Sequence, residues 1–141
     1  MTGARGDVNW ADLRAAAMGQ LQHAYAPYSK FRVAAAALTA DGRVFTGVNV
    51  ENASYGLTIC AERNAIAAAV GQGVRELRAL VVVCSGDLSP APCGACRQVL
   101  VEFPPAFEVR CYGRGGQELI ARSDALLPHA FGAGTFEPNQ G

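Results

Sequence analysis

Four residues in this chain have the types and spacing to hold a metal ion and move a proton beside it: Cys60, Glu62, Cys93 and Cys96. Cys93-Gly94-Ala95-Cys96 is a CxxC pair, preceded by Pro92 and followed by helix formers. Positions i and i+3 of a helix share a face, so both sulfurs can point at one ion. A helix N-terminus there adds positive partial charge, which favours thiolates. Alone, the pair is ambiguous: a redox dithiol, half of a structural zinc site, or chance. Cys60-Ala61-Glu62 opens a second predicted helix. Glu62 points about 200° around that helix from Cys60, so it stands beside the ion rather than on it. Alone, it reads as an ordinary first-turn glutamate, which the helix dipole also favours. Taken together, the three cysteines supply three ligands where zinc prefers four. The fourth position is left for water, which the ion acidifies toward neutrality. A carboxylate at its side can take and return the proton. The expected cofactor is therefore one zinc ion per chain, with Glu62 as the catalytic residue.

An all-thiolate shell leaves the site at about −1, which works against deprotonating water. A nearby cation offsets this. Arg63 follows Glu62 and Arg97 follows Cys96, and both are candidates to hydrogen-bond the sulfurs. The plain alternative for each is a solvated helix arginine.

These residues need elements to position them. Asn9 is a good helix N-cap, with Asp12 three residues on and Val8 and Leu13 placed as a hydrophobic staple. The first helix is predicted to run to about Ala24, ahead of Pro27. Residues 32–40 and 43–50 read as strands joined by the turn pair Asp41-Gly42. Residues 60–70 are alanine-rich and helical, with Gly71 as the stop. Residues 77–84 form a nearly continuous apolar run, as in a strand covered on both faces. Residues 93–103 predict a short helix, and 107–112 and 117–121 two strands. Ser123 is read as the cap of a short final helix ending near Pro128. The expected fold is α/β: three layers, α-β-α, around a single mixed five-stranded sheet.

The 141 residues fit one domain, with residues 1–8 as a loose leader and 132–141 as a mobile tail. Twelve basic and twelve acidic residues balance, without the basic excess a nucleic-acid binder shows. No apolar run approaches the roughly 20 residues of a membrane-spanning helix. The N-terminus is polar, without a hydrophobic signal region. A cytoplasmic protein is expected, in which five cysteines are free, metal-bound or catalytic. Cys84, Cys111, His23 and His129 are read as structural.

The metal motifs match the zinc deaminase signature H-x-E…P-C-x-x-C, with Cys60 in the histidine's place. Thr58-Ile59-Cys60-Ala61-Glu62-Arg63 and Pro92-Cys93-Gly94-Ala95-Cys96-Arg97-Gln98 closely resemble the motifs of homotetrameric cytidine deaminases with a three-cysteine zinc site. So do Ala26-Pro27-Tyr28-Ser29-Lys30-Phe31, Asn49-Val50-Glu51-Asn52 and Leu126-Leu127-Pro128-His129-Ala130-Phe131. The resemblance runs in order from about Asp12 to Phe131. It implies hydrolysis of cytidine and deoxycytidine to uridine and deoxyuridine, with release of ammonia, in pyrimidine salvage. It assigns Asn49 and Glu51 to the ribose, Phe31 to stacking on the base and the backbone of Ala61 to the base's amide edge. Tyr55 and Phe131 match residues supplied by a neighbouring subunit of a homotetramer. His129 stands where the family often has glycine.

Two other readings compete. One is deamination of a nucleoside-like antibiotic or another aminated base. The other is a structural zinc module, which needs a fourth protein ligand such as Cys84 or Cys111 and gives Glu62 no role.

Overall fold

The structure is a computed structural model, and it describes residues 7–136. Helix α1 spans Trp10–Gln20, α2 Ala61–Gly71 and α3 Gly94–Val101. The strands are β1 Val33–Thr39, β2 Val44–Val48, β3 Leu77–Cys84, β4 Glu108–Tyr112 and β5 Glu118–Arg122. They form one mixed sheet in the order β2-β1-β3-β4-β5. β1 is antiparallel to both β2 and β3, β3 is parallel to β4, and β5 closes the far edge antiparallel.

Side chains alternate across the sheet and sort the core into two halves. Ala34, Ala36, Ala79, Val81, Val83 and Tyr112 face α1, where Leu13 and Ala17 meet them. Ala35, Ala37, Leu80, Val82, Val109 and Cys111 face the other way. There they pack with Ala61, Ala65, Ile66 and Ala69 of α2 and Leu100 of α3. The expected three-layer α-β-α arrangement with a five-stranded mixed sheet is the one observed. Among the described residues, no helix is long and apolar enough to cross a membrane.

Topology decides where the helix N-termini fall. β2 and β3 both run antiparallel to β1, so they run parallel to each other. Their C-terminal ends therefore lie on the same edge of the sheet. α2 follows β2 and α3 follows β3, so both helices begin at that edge. In open α/β sheets this is where ligands bind.

Several local readings need correction. The helix at Ser123 does not form: Ser123 is buried, and its Oγ accepts the Phe107 N–H at 3.0 Å. The serine thus ties the end of β5 to the start of β4, and the chain continues as turns toward Pro128. Helix α2 takes in the expected stop, ending at Gly71 with Gln72 as the cap, and it is Gly73 that has φ +89°. A left-handed φ is what glycine permits. The first helix tightens into a 3₁₀ turn at Leu21–His23. Its expected start holds: the Asn9 side chain accepts the Asp12 N–H at 3.0 Å. The expected leader and tail lie partly outside the described residues. Of the remainder, Val8 packs against the α1 half of the core and Ala133–Phe136 form a 3₁₀ turn.

α2 lies unusually close to β2. A Cβ at Gly47 would sit 2.4 Å from Ala65 N, 2.6 Å from Ala61 O and 2.9 Å from Asn64 C, all main-chain atoms of the helix. Alanines 61, 65 and 69 form the buried face of α2 and let the backbones approach. The Asn64 side chain adds a bond from Nδ2 to Val48 O at 2.8 Å. Overpacking here forces backbone movement. Gly47→Ala is therefore expected to destabilise the fold by about 3 kcal/mol in urea unfolding. A variant as stable as the parent would contradict the close contact.

Candidate active site

Cys60 is the N-cap of α2 and Cys93 the N-cap of α3, both with extended backbone. Neither sulfur caps its own helix, so both are free to turn toward each other. The Cys60 and Cys93 sulfurs lie 3.7 Å apart, and the ligand atoms of Cys60, Cys93 and Cys96 are all within 4.8 Å of one another. Tetrahedral zinc with Zn–S bonds of about 2.3 Å places its sulfurs about 3.8 Å apart. The donor set and its spacing fit that ion. Neither Cys84 nor Cys111 joins the cluster. The Cys84 thiol donates to the carbonyls of Gly86 and Leu88, at 3.6 and 3.3 Å. Burial raises the Cys111 thiol to about 12.

Proton sharing among the three sulfurs is unequal. The Cys60 thiol is drawn down to about 5, first by its hydrogen bond with Cys96, then by Arg63 and Cys93. Cys96 is pushed up by the same bond with Cys60, and by burial and the Glu62 charge. Three thiols in contact thus resist becoming three thiolates unaided, and a divalent cation removes that resistance. The Arg63 guanidinium donates from Nη2 to Cys60 Sγ at 3.6 Å. Among the described residues, Arg63 Nε is a buried polar atom without a partner. Arg97 points elsewhere: Nε donates to Pro92 O at 2.7 Å and Nη1 to Leu126 O at 3.0 Å. It holds the chain just before Cys93 by its carbonyl, where the sequence suggested a bond to sulfur.

Glu62 sits in the first turn of α2 and is only 5 % exposed. Burial pushes its carboxyl up to about 7, and the Cys60 charge adds to this. A group poised near neutrality can both accept and donate a proton. It lines a cavity of about 200 Å³ together with Phe31, Val33, Asn49, Thr58, Cys60 and Ala61. Pro90, Ala91 and Cys93 complete the wall.

Asn49 is buried and bridges to the adjacent segment 31–33 like a strand residue. Its Oδ1 accepts the Val33 N–H at 2.9 Å and its Nδ2 donates to Phe31 O at 2.8 Å. One donor hydrogen and one acceptor lone pair of the amide remain. Glu51 is engaged as well. Its Oε1 accepts the N–H groups of Tyr28 and Ser29 at 3.0 and 3.1 Å, and its Oε2 accepts the Ser29 hydroxyl. The Ser29 hydroxyl, then the Ser29 and Tyr28 amides, hold the Glu51 carboxyl below the usual range. Glu51 lines a second hollow with Tyr28, Ser29, Asn52, Tyr55 and Thr58. Thr58 borders both spaces and joins them.

Phe31, Asn49, Ala61, Glu62 and the cysteines therefore come together within one chain. Tyr55 and Phe131 do not enter the metal-side cavity. Tyr55 is 76 % exposed and Phe131 60 % exposed, the latter packed edge-on to Phe136 at 5.6 Å. His129, just before this aromatic, takes φ +54°, the region that favours glycine. That is the physical sense of the glycine common at this place. Val33, Thr58, Pro90 and Ala91 were missed as lining residues. Thr58 and Pro92 already flank the metal motifs, and that adjacency was the available signal.

The family model described as "Cytidine and deoxycytidylate deaminase zinc-binding region" matches residues 11–109. A probable cytidine deaminase of Dictyostelium discoideum is 49 % identical over 82 % of this chain and 79 % of its own length. A cytidine deaminase of Mycobacterium tuberculosis is 46 % identical over 89 % of this chain and 92 % of its own. The crystal structure of cytidine deaminase from Burkholderia pseudomallei superposes with a TM-score of 0.83 at 46 % identity, over 89 % of this chain and 100 % of that one. The match spans the metal cysteines, the buried glutamate and the sheet edge that gathers them, and the chain belongs to the cytidine deaminase family.

Proposed function

We propose that this chain hydrolyses cytidine and deoxycytidine to uridine and deoxyuridine, releasing ammonia, as a step of pyrimidine salvage. The observation that carries this reading is Glu62. It is a buried carboxyl held near neutrality, in the same cavity as a three-cysteine site with room for a fourth partner. Cys60, Cys93 and Cys96 would hold the zinc ion. When bound, zinc supplies the Lewis acidity that makes water a competent nucleophile near neutral pH.

Glu62 takes the proton of the attacking water as the oxygen bonds to C4 of the pyrimidine. It delivers that proton to N3. It then carries the hydroxyl proton to the amino group, and the C4–N bond breaks with ammonia leaving. Phe31, 42 % exposed and facing the cavity, is placed to stack on the base. The Ala61 backbone serves the amide edge. Asn49 and Glu51 serve the ribose through the hydrogen-bonding capacity that their protein contacts leave over. A 3′-phosphate would meet the Glu51 carboxylate, which disfavours polynucleotides. Arg63 offsets the thiolate charge. A homotetramer in which Tyr55 and Phe131 reach a neighbouring site accounts for two large aromatics left exposed on one chain. Five free cysteines fit a cytoplasmic setting.

The structural-module reading lacks a fourth ligand, since the cluster among the described residues contains three cysteines. The main test is an ultraviolet assay with cytidine, deoxycytidine and cytidine monophosphate, with zinc quantified per chain. Both nucleosides are expected to be turned over. Glu62→Gln is expected to keep its zinc and lose turnover by about 10³-fold. Retained activity in that variant would exclude Glu62 as the proton carrier. Arg63→Gln is expected to weaken zinc retention roughly 10- to 100-fold in a chelator competition. Unchanged retention and turnover would remove Arg63 from the site. A monomer verified by sedimentation is expected to be inactive, and full activity from it would refute the shared sites.

A further inference from the structure

The cavity wall opposite α2 is the loop of residues 85–92, running from the end of β3 to Cys93. Pro90 and Ala91 line the cavity. Gly86 backs onto the stacking ring: a Cβ there would lie 2.9 Å from Phe31 Cε1. The position of this loop therefore sets the position of Phe31.

Part of the loop's anchorage is local. Ser85 Oγ accepts the Arg32 N–H at 3.0 Å, and the Cys84 thiol binds the carbonyls of Gly86 and Leu88. The rest comes from the β4–β5 turn, which does not line the cavity. The Arg114 N–H donates to Gly86 O at 2.7 Å, and the Gly115 N–H to Asp87 O at 3.4 Å. The Arg114 guanidinium bonds Asp87 Oδ1 through Nη2 and Nε, at 2.9 and 3.2 Å. Gly113 makes this seating possible. A Cβ at 113 would lie 2.3 Å from Asp87 O, 2.5 Å from Leu88 C and 2.6 Å from Leu88 O. These are main-chain atoms, so a side chain there has to move the loop itself.

We infer that Gly113 is a positioning residue for nucleoside binding: its missing side chain lets the β4–β5 turn seat loop 85–92, which holds Phe31 and the Pro90–Ala91 wall against the pyrimidine. The inference rests on the proposed deaminase reading. Glu62 and Cys60 are carried by α2 and not by this loop, so the effect should fall on binding more than on chemistry.

Gly116 provides the control. It also belongs to the turn and has φ +86°, but a Cβ there meets nothing within 4 Å. Gly116→Ala strains the turn without pushing the loop. Steady-state cytidine kinetics, melting temperature and zinc content are measured for the zinc-loaded parent, Gly113→Ala and Gly116→Ala. Gly113→Ala is expected to raise KM roughly tenfold, with kcat within about twofold and zinc content equal to the parent's. Gly116→Ala is expected to lower the melting temperature and leave KM unchanged. An unchanged KM in Gly113→Ala, or an equal rise in Gly116→Ala, overturns the inference. If Gly113→Ala does not fold, Arg114→Ala decides: a KM rise of about threefold supports positioning, and no rise overturns it. An inactive parent would sink the deaminase reading alone. Positioning would then be judged by a crystal structure of Gly113→Ala, or of Arg114→Ala should the former not fold, where an unmoved Phe31 and Pro90 would overturn it.

Discussion

Helix α2 rests on β2 with no side chain between them at Gly47, whose hypothetical Cβ would overlap the helix backbone. Interiors are packed densely enough that a shift of this size is transmitted, not absorbed. The first residues of α2 carry the Cys60 sulfur, the Ala61 backbone and the Glu62 carboxyl, so the depth of the helix on the sheet fixes where all three stand. The same closeness buries Glu62, and burial is what brings its carboxyl toward neutrality. Small residues on a strand and a helix face thus tune the acidity of a carboxyl carried by the same helix.

The thiols pose a second constraint. Without a cation, proton sharing favours charge on Cys60 while Cys96 is driven the other way. The cluster is therefore not a comfortable set of free cysteines. It is a set in which Cys60 gives up its proton readily and Cys96 holds on to its own, which a bound divalent cation would displace. Arg63, in the first turn of the same helix, donates to the Cys60 sulfur and so favours its charged form.

The fold class and the metal cluster were legible because both rest on short-range patterns. The Asp41-Gly42 turn pair and apolar runs marked the strands, and the CxxC and Cys-x-Glu spacings marked the cysteine cluster and the carboxyl beside it. What stayed illegible depended on partners distant in sequence. Arg97 follows a metal-motif residue directly, as Arg63 does, yet Pro92 and Leu126 carbonyls claim its guanidinium. Ser123 had the chemistry of a helix cap, but Phe107 was waiting for its hydroxyl. Glu51 read as a ligand-facing carboxylate, and the turn at Tyr28 and Ser29 takes three of its bonds. Propensity describes what a side chain can do locally, and tertiary contacts decide which option is used.

Asn49 illustrates what such double employment means for change over time. Its amide splints Phe31 to Val33 across a gap where the strand ladder has ended. A replacement of Asn49 that reshaped this part of the cavity would also unfasten the segment that presents the Phe31 ring. The cavity cannot easily drift in shape through this position, because each step would cost stability of the fold. Divergence in an enzyme so built is channelled to a neighbour without a splinting duty, such as the exposed Ala91, whose side chain can vary in bulk while the frame stays whole.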